Sequence, residues 1–401
     1  MAMMAFEQAR RLVLEAAAAQ PMSAESVAVF DSLGRVLAED VHAPFDVPGH
    51  PHAAMDGYAI VGSGELTLPK RFRVVGRTLA GDLPFRALAP DETIAIATGA
   101  VVPPGAARVV PVEIAQRLDD EHVALRIDAE APRHIRAADE DFAEGALALR
   151  RGERIGWAGL GVLSSFGRVD VCVARRPRVA VLVTGSELVP AGLPRRPGQI
   201  HDSNTASLHG LLRAEGIDTR RMPPVVDDPA LLREALLRAS AESDLVISSG
   251  GASAGQVDHM PRLLAELGEV LIWKVAMRPG MPVLFGRIGT TLVMALPGNP
   301  VAVVAGFLAL VRPLLRQLQS TALPPLVHAR LDADAEKLHD RLEFRRASLR
   351  IDEQGVVRAR LHPNLSSGAL RSVLESDALV LLAAERRQWR AGDVVEVLCY
   401  C

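Results

Sequence analysis

Cysteine is scarce in this chain of 401 residues, which contains Cys172, Cys399 and Cys401. The last two are separated by one residue, Tyr400, and no other cysteine lies near them in sequence, so they do not form a metal-binding set. A sparse and odd number of cysteines is typical of proteins from a reducing compartment. The sequence therefore predicts a cytoplasmic protein.

Long apolar runs are missing as well. The longest uninterrupted one, VAVVAGFLALV at residues 301–311, is far shorter than the ~20 residues that a membrane-spanning helix needs. The first residues lack the basic and apolar segments of a signal peptide. An excess of basic charge is also absent, since the formal net charge is -3, whereas a broad nucleic-acid surface needs a clustered basic field. We expect neither a membrane nor a nucleic acid as partner.

What is present is an ordinary globular composition, with 49% hydrophobic and 23% charged residues, in a chain long enough for two or more domains. Residues 6–19 have the apolar spacing of a helix. From residue 44 to about 136, glycine and proline are frequent and helical periodicity disappears. We predict a mixed linker domain over 1–44 with 137–172, and a small β-rich domain over 45–136.

Apolar runs alternate with helical segments from Arg178 onwards. The run RVAVLV at 178–183 is continuous, as is typical of a strand buried on both faces. We predict a three-layer α/β domain over 173–322. Short alternating runs beyond Leu323 predict a C-terminal β-rich domain over 323–401. The predicted fold class is therefore α/β, in a multidomain chain with additional small β-rich domains.

Three predicted strands of the α/β domain end in loops of one kind, TGSEL at 184–188, SSGGASAG at 248–255 and LPGNP at 296–300. Ligands of open parallel sheets bind outside the carboxyl ends of the strands. Glycines at such ends allow backbone N–H groups to approach phosphate oxygens closely. The three loops together predict an anion-binding site.

Acidic residues follow the same strand ends, namely Glu187, Asp227, Asp228 and Asp258. Mg²⁺ is commonly held by one or two carboxylates together with water and substrate phosphates. Asp228 and Asp258 each precede a helical segment, so both are equally well explained as helix N-caps. Glu187 has no such explanation, because it follows the turn directly after a buried strand.

A second feature, HAAMDGYAI at residues 52–60, lies far from these loops in sequence. An Asp-Gly pair is common in hairpin turns. A turn would explain Asp56 and Gly57 but not the complete motif AMDGYA. His50 and His52 could form a pair of metal ligands. A zinc site needs three or four ligands, however, and no third candidate lies near them in sequence.

The order of these sequence motifs resembles that in the molybdopterin molybdenumtransferase (MoeA) family, to which the C-terminal region of gephyrin also belongs. The matching words are AMDGYA, TGAVVPPGA, EDFAEG, TGSEL, IHDSN, SSGGASAGQVDH, RPGMP and LPGNPVA, and the resemblance extends from about residue 27 to residue 370. It implies an elongated homodimer with a molybdopterin-binding, MogA-like α/β domain and a cleft shared with the small β domain of the partner subunit. The implied reaction inserts molybdate into adenylylated molybdopterin with release of AMP and needs Mg²⁺.

The resemblance also implies roles for individual residues. Implied metal ligands are Glu187, Asp227 and Asp258. Implied catalytic residues are these three together with Asp56, Thr98, Asp141, Lys274 and Arg278, of which Asp56, Thr98 and Asp141 would face the cleft of the partner. Implied binding residues for the molybdopterin substrate and molybdate are Thr184, Gly185, Ser186, Asp202, Ser203, Ser249, Gly250, Gly251, Ser253, Gly255, Pro282, Pro297, Gly298, Asn299, Arg346, Ser366 and Ser367.

Three departures from the family pattern keep an alternative open. The usual Lys-Pro-Gly-Lys-Pro is Arg-Pro-Gly-Met-Pro at 278–282, the usual Asp-Asn-Ser is Pro-His-Ala at 51–53, and a usual Arg is Val61. Met281 and Pro51 favour a non-catalytic carrier of molybdopterin or of the finished cofactor, and a scaffolding role is a third, remoter interpretation. The retained acidic residues and Lys274 favour the enzyme. Its further partners would be a molybdopterin adenylyltransferase and client molybdoenzymes.

Overall fold

The fold class predicted from the sequence is confirmed by the computed structural model, in which an α/β domain is combined with smaller units rich in strands. The structure describes residues 3–62, 64, 66–83, 86–128, 131–251, 259–323 and 325–400. The four domain boundaries given above stay predictions.

The central sheet of the α/β domain contains the three strands that precede the glycine loops. Its strand order, from one edge to the other, is Thr219–Arg221, Val179–Val183, Leu245–Ser249, Thr291–Leu296, Leu284–Ile288 and Glu269–Trp273. The first four strands are parallel and the last two are antiparallel to their neighbours. The strands before the three loops are adjacent and buried along their whole length. Their carboxyl ends therefore meet at one edge of the sheet.

Helices cover both faces of this sheet and bury an apolar core on each side. The helical segments are Asn204–Ala214, Pro229–Glu242, Met260–Leu267, Pro300–Gly306 and Arg312–Leu318, and a π-helical turn, Phe307–Val311, joins the last two. Asp228 is the N-cap of the second helix and accepts hydrogen bonds from the N–H groups of Ala230 and Leu231, each at 2.9 Å. The N-cap interpretation of Asp228 is therefore confirmed.

The N-terminal helix Phe6–Ala18 packs against Arg312–Leu318, and its buried residues belong to the core of the α/β domain. Its buried face consists of Phe6, Ala9, Val13 and Ala17. The helix is thus part of the α/β core in space although it is separated from that domain by more than 150 residues.

The continuous helical segment Pro300–Leu318 has 19 residues and is long and apolar enough, by length and composition alone, to cross a membrane. The uninterrupted apolar run seen in the sequence ends at Val311, but the helix continues through Arg312 and Pro313. Because 83% of its apolar window is buried inside the protein, this segment is explained as the core helix of a globular domain.

A small core joins the segments that precede and follow the β-rich unit, with Val29, Leu37 and Val41 on one side and Leu163 and Phe166 on the other. Its elements are the strand pairs Ala24–Ala28 with Asp170–Ala174 and Val41–His42 with Leu147–Leu149, the 3-10 turn Val29–Asp31 and the helix Trp157–Ser165.

The β-rich unit is a six-stranded sheet, as the loss of helical periodicity predicts. Its strand order is Ala106–Pro111, Gly57–Val61, Glu92–Ile96, Leu66–Thr78, His122–Ile127 and Ala115–Arg117. A further pair, His52–Ala53 with Ile135–Arg136, and a 3-10 turn, Val112–Ile114, complete it. A Cβ at Gly57 would lie 2.1 Å from the carbonyl oxygen of Val110, which explains the glycine of AMDGYA by the close approach of two strands.

The C-terminal unit is a barrel, because its strands pair in a closed circle. The order is Leu342–Ile351, Val357–Leu361, Val327–Leu331, Val394–Cys399 and Ala378–Leu382, and the last strand pairs with the first. The pair Ala335–Glu336 with Gln388–Trp389 and the short helix Leu370–Leu374 lie outside the circle. The short strand Met277–Arg278 of the α/β domain pairs in parallel with Leu342 and Glu343, so backbone hydrogen bonds join the two units.

Candidate functional site

A cavity of 930 Å³ lies at the edge where the three strands end, and we call it the strand-end cavity. It is lined by the first two glycine loops, by the segment 200–204 and by the loop 297–300. Of the residues predicted for binding, the following line it: Thr184, Gly185, Asp202, Ser203, Ser249, Gly250, Gly251, Pro282, Pro297, Gly298 and Asn299. The acidic residues Glu187 and Asp227 line it as well.

The glycines of the second loop have a geometric explanation. Gly250 has φ +94°, and a Cβ there would lie 2.2 Å from the carbonyl oxygen of Thr184. Gly251 has φ +65°, and its Cβ would touch the side chain of Thr184 at 3.0 Å. Both positions require glycine, because L-residues disfavour this backbone region and no space remains for a side chain. The loop backbone therefore packs directly against Thr184 at the wall of the cavity, and the N–H of Gly250 donates to the carbonyl oxygen of Leu296 at 3.1 Å.

The two carboxylates of the cavity are held by the first loop. Asp227 accepts a hydrogen bond from Oγ1 of Thr184 at 2.9 Å and one from the N–H of Ser186 at 3.0 Å. Its own N–H donates to Oγ of Ser186 at 3.2 Å. The carboxylate of Glu187 folds over Gly185, where an added Cβ would lie 2.7 Å from Oε2. Two acidic side chains on one wall are a donor set that suits Mg²⁺.

Asn204 was not predicted as a functional residue, although it belongs to the sequence motif IHDSN. It is 8% exposed, and its side-chain N–H₂ donates to Oγ of Ser249 at 2.9 Å and to the carbonyl oxygen of Gly298 at 2.7 Å. One side chain thus joins the second and third glycine loops. Its Oδ1 is buried and has no hydrogen-bond partner among the described residues, so it can accept a hydrogen bond from a ligand.

A second cavity, of 440 Å³, adjoins the first and is lined by arginines; we call it the arginine cavity. Pro282, Pro297 and Asn299 line both cavities. The arginine cavity lies between the segment 277–282 and the C-terminal barrel. Of the residues predicted for the molybdate side, it is lined by Arg278, Pro282, Arg346, Ser366 and Ser367.

The loop of Ser366 and Ser367 contacts the third glycine loop directly. Asn299 donates from Nδ2 to Oγ of Ser367 at 2.9 Å, and the N–H of Val301 donates to the carbonyl oxygen of Ser367 at 3.0 Å. The C-terminal unit therefore closes one side of the site, about 70 residues further along the chain.

The charges of the arginine cavity are strongly positive. Its lining contains Arg278, Arg341, Arg345 and Arg346, and one carboxylate, that of Glu343. Glu343 is 4% exposed and pairs with Arg345 at 3.2 Å. Burial lowers the pKa of the Arg346 guanidinium, but arginine is not deprotonated in proteins and keeps its charge at neutral pH. Such a cavity favours an anion.

Three predicted catalytic residues of the N-terminal half do not reach either cavity within this chain. Asp56 accepts hydrogen bonds from the N–H of Thr98 at 2.6 Å and from its hydroxyl at 2.8 Å, and the backbone N–H is the main cause that lowers the pKa of Asp56. Asp141 pairs with Arg136 at 3.3 Å. Asp56 and Thr98 therefore lie together, while neither cavity lining includes them or Asp141.

Lys274 also lies outside both linings. It has φ +70°, and its ammonium lies 4.9 Å from the ring centroid of Trp273. Ser186 does not line either cavity but bonds Asp227. The predicted residues Ser253, Gly255 and Asp258 lie outside the described residues.

The histidine pair at residues 50 and 52 gains no third ligand. Within the described ranges, no group of three or more His, Cys, Asp or Glu side chains is placed to hold a metal ion. His52 lies in a short strand, and its Nδ1 is buried without a hydrogen-bond partner in the described part of the chain.

Several lining residues were not found by sequence reasoning, namely Arg195, His201, Asn204, Arg341 and Glu343. Asn204 and His201 lie in the word IHDSN, which could have indicated them. Arg341 and Glu343 lie in an unremarkable charged segment, and their placement depends on the pairing of the barrel with Met277–Arg278.

Family models match three consecutive parts of the chain. They are "MoeA N-terminal region (domain I and II)" over residues 4–167, "Probable molybdopterin binding domain" over residues 180–317, and "MoeA C-terminal region (domain IV)" over residues 328–400. Together they cover most of the chain, in the order that the sequence words indicated.

Two relatives named molybdopterin molybdenumtransferase are similar to this chain over nearly its whole length. The chain is 33% identical to molybdopterin molybdenumtransferase of Haemophilus influenzae over 402 residues, with 98% of each chain covered, and 30% identical to that of Bacillus subtilis, with 93% and 89% covered. Among solved structures, the molybdopterin biosynthesis MoeA protein of Pyrococcus horikoshii matches with a TM-score of 0.83 and 30% identity, with 100% of both chains covered. The resemblance found in the sequence is thus confirmed: the chain belongs to the molybdopterin molybdenumtransferase family and is a transferase of molybdenum cofactor biosynthesis.

Proposed function

We propose that the chain inserts molybdate into adenylylated molybdopterin with release of AMP, in a reaction that depends on Mg²⁺. The observation that carries this proposal is the adjacency of two cavities of different chemistry. One combines the glycine loops with two carboxylates, and the other is lined with guanidinium groups. A substrate that carries phosphates at one end and receives an oxyanion at the other would occupy both.

The strand-end cavity would bind the phosphates and the pterin. Gly251 carries no side chain at the cavity wall, so that its backbone can approach phosphate oxygens, whereas the N–H of Gly250 is already bonded to the carbonyl oxygen of Leu296. The free Oδ1 of Asn204 could accept a hydrogen bond from a ring N–H of the pterin. Asp202 accepts a hydrogen bond from the N–H of Thr205 at 3.0 Å and would keep the helix start in position.

Glu187 and Asp227 would hold Mg²⁺ together with the phosphates. The ion itself would neutralise charge that develops when the pyrophosphate bond is cleaved. Thr184 and Ser186 fix the Asp227 carboxylate through the contacts described above, and each carboxylate oxygen keeps a further lone pair for a ligand. Asp258 is proposed as the third acidic residue of the set.

The arginine cavity would hold molybdate, a tetrahedral dianion that needs several close donors. Arg346 has a buried Nε–H without a hydrogen-bond partner among the described residues. The hydroxyls of Ser366 and Ser367 and the guanidinium of Arg278 lie in the same lining. These groups would orient the oxyanion towards the pterin bound in the adjoining cavity.

We also propose a homodimer in which Asp56, Thr98 and Asp141 complete the cleft of the partner subunit, with Lys274 as a further catalytic residue. Exposed large apolar side chains support a second copy of the chain as partner. Phe30, Trp157 and Val169 are 88%, 84% and 78% exposed, and the N–H of Val29 bonds the carbonyl oxygen of Val169. Large exposed apolar patches mark interaction surfaces.

The carrier alternative depends on two departures from the family pattern, Met281 and Pro51. A carrier would have little need for a cavity rich in guanidinium groups or for two carboxylates fixed at the strand ends. The charges of both cavities therefore favour the enzyme over the carrier. A molybdopterin adenylyltransferase that supplies the substrate and client molybdoenzymes that receive the product remain proposed partners.

Genetic complementation tests this proposal. The gene would be expressed in a bacterial strain that lacks its own molybdopterin molybdenumtransferase, and the activity of a molybdoenzyme would be measured at low molybdate. We expect activity with the wild-type chain and none with Asp227→Ala. Absence of activity with a well-expressed wild-type chain would contradict the proposed reaction and favour the carrier.

A further inference from the structure

The four arginines of the arginine cavity differ in the hydrogen bonds and ion pairs that they form with protein groups. Arg345 donates from Nη2 to Glu343 and to the carbonyl oxygen of Glu336. Arg346 is 4% exposed and donates from Nη2 to the carbonyl oxygen of Asn364. Each of these guanidinium groups is therefore partly committed to the structure of the barrel.

Arg278 and Arg341 are different. Within the described part of the chain, neither guanidinium has a hydrogen bond or ion pair to a protein group, and both line the arginine cavity. Both side chains are accessible to solvent. Uncommitted cations that line a cavity can bind an anionic ligand without first breaking a protein contact.

The backbone of Arg341 is held at a fixed place beside Arg278. Its carbonyl oxygen accepts a hydrogen bond from Nζ of the buried Lys337 at 2.9 Å, and its N–H donates to Nδ1 of His339 at 3.3 Å. The next residue, Leu342, pairs with Met277 across the parallel strands. Arg278 therefore enters the cavity from the short strand Met277–Arg278, and Arg341 enters it from the residue directly before the neighbouring strand Leu342–Ile351.

Met281 lines the same cavity and contributes no charge. Among the described residues, Glu343 is the one acidic residue of the lining, and Arg345 already pairs with it. A dianion in this cavity would consequently meet two free guanidinium groups, one from the α/β domain and one from the barrel.

We propose that Arg341 binds the oxyanion substrate together with Arg278 and thereby sets the affinity of the arginine cavity for tetrahedral dianions. This inference rests on the proposed function, because it assumes that molybdate occupies this cavity. Arg341 supplies from the start of the barrel a second cation without a protein partner among the described residues, which the segment 278–282 does not contain. Its guanidinium can donate two parallel hydrogen bonds to two oxygens of the dianion.

The test measures molybdate binding directly by titration calorimetry with purified wild-type protein and Arg341→Ala, and it measures the molybdate KM and kcat of cofactor formation. We expect Kd and KM for molybdate to rise about 10- to 100-fold, the effect of losing a charge-assisted contact. The affinity for adenylylated molybdopterin should stay unchanged. Arg360→Ala is the matched control, because Arg360 is an exposed arginine of the same barrel that lines neither the strand-end nor the arginine cavity.

A second variant separates charge from packing. Met281→Lys, introduced into Arg341→Ala, should recover most of the lost molybdate affinity, since position 281 lines the same cavity. A double variant that recovers nothing would show that Arg341 acts through packing and would overturn the proposal. Thermal melting of each variant verifies that it is folded.

The outcomes also separate this inference from the proposed function. Wild-type protein that binds molybdate and forms cofactor, with an unchanged Kd in Arg341→Ala, would overturn the role of Arg341 and leave the reaction standing. Wild-type protein that neither binds molybdate nor forms cofactor would overturn the proposed function, and the role of Arg341 with it.

Discussion

The side-chain amide of Asn204 donates a hydrogen bond to the carbonyl oxygen of Gly298 at 2.7 Å across 94 residues of sequence. The same amide donates to Ser249, whose hydroxyl lies 3.2 Å from the carbonyl oxygen of Pro297. The second and third glycine loops are therefore fixed to each other by one buried side chain. A shift of either loop would alter the wall of the strand-end cavity.

Asn204→Ala should lower the free energy of unfolding by about 1–3 kcal/mol, because two buried acceptors would lose their donor. It should also weaken binding of adenylylated molybdopterin. Denaturant unfolding and equilibrium binding measure the two effects. Asn299→Ala is the control for stability, since its hydrogen bond to Ser367 is exposed, and we expect it to cost less than about 1 kcal/mol. Equal costs for the two variants would contradict the role of Asn204.

Gly250→Ala should be poorly tolerated, because the new methyl group would lie 2.2 Å from the carbonyl oxygen of Thr184. We expect a loss of more than about 2 kcal/mol in the free energy of unfolding, together with loss of substrate binding. Gly192→Ala is the matched control: its φ is +90°, but nothing lies within 4 Å of the added Cβ. Backbone strain alone should cost it about 1–2 kcal/mol. Similar losses would mean that strain, rather than the close approach to Thr184, explains Gly250.

The α/β domain could be predicted from the sequence because its strands, loops and helix caps are each specified by neighbouring residues. Continuous apolar runs identified the buried strands, and the glycine-containing motifs that follow them identified the loops. Their parallel adjacency then brought the three loops to one edge. The Asp cap at 228 was predicted for the same reason, since a cap depends on the neighbouring helix alone.

The arginine cavity could not be predicted in this way. Arg341 and Glu343 enter it through the pairing of Met277–Arg278 with the first strand of the barrel, a contact between residues more than 60 positions apart. No local pattern encodes that register. The N-terminal helix illustrates the same limit: its apolar face was recognisable, but its partner, Arg312–Leu318, was not.

Asp227→Asn should raise the Mg²⁺ concentration needed for half-maximal activity at least about tenfold, because one of the proposed carboxylate ligands would become neutral. The fold should persist, since the amide oxygen can still accept the hydrogen bond from Thr184, and the N–H of Ser186, whose bond to Asp227 is exposed, can donate to water instead. Asp228→Asn, at the next position, is the control: asparagine caps a helix as well as aspartate does. A Mg²⁺ titration of activity compares them. Identical Mg²⁺ requirements would argue against Asp227 as a metal ligand.

Stability should depend on pH through Asp244. Burial opposes ionisation of Asp244, but hydrogen bonds from Arg175 and Arg178 outweigh it and lower its pKa from 3.8 to about 2. Since the folded pKa is lower than the unfolded one, this stabilisation is complete above about pH 4 and is lost as the pH falls towards 2. It amounts to about 2 kcal/mol.

Asp244→Asn isolates this contribution. The difference in free energy of unfolding between wild type and variant should be largest near neutral pH and should shrink as the pH falls through the window from about 4 to 2. Denaturant unfolding at several pH values measures it. A difference that stays constant over this window would contradict the assigned cause.

Mixed dimers test the shared cleft. Asp56→Ala and Asp227→Ala should each be inactive alone, because every cleft lacks one residue. After the two variants are unfolded together and refolded, about a quarter of wild-type activity should return, since half of the dimers contain one intact cleft of two. Refolded single variants are the controls. No recovery, with mixed dimers demonstrated by mass, would place both residues in the same subunit's site.

The central claim is tested most directly by a single-turnover reaction. Purified wild-type protein would be loaded with adenylylated molybdopterin and given Mg²⁺ with or without molybdate, while AMP and active cofactor are quantified in the same samples. The account predicts AMP release that requires molybdate and an equal amount of active cofactor. Tight binding of the substrate without molybdate-dependent AMP release would contradict it and identify a carrier.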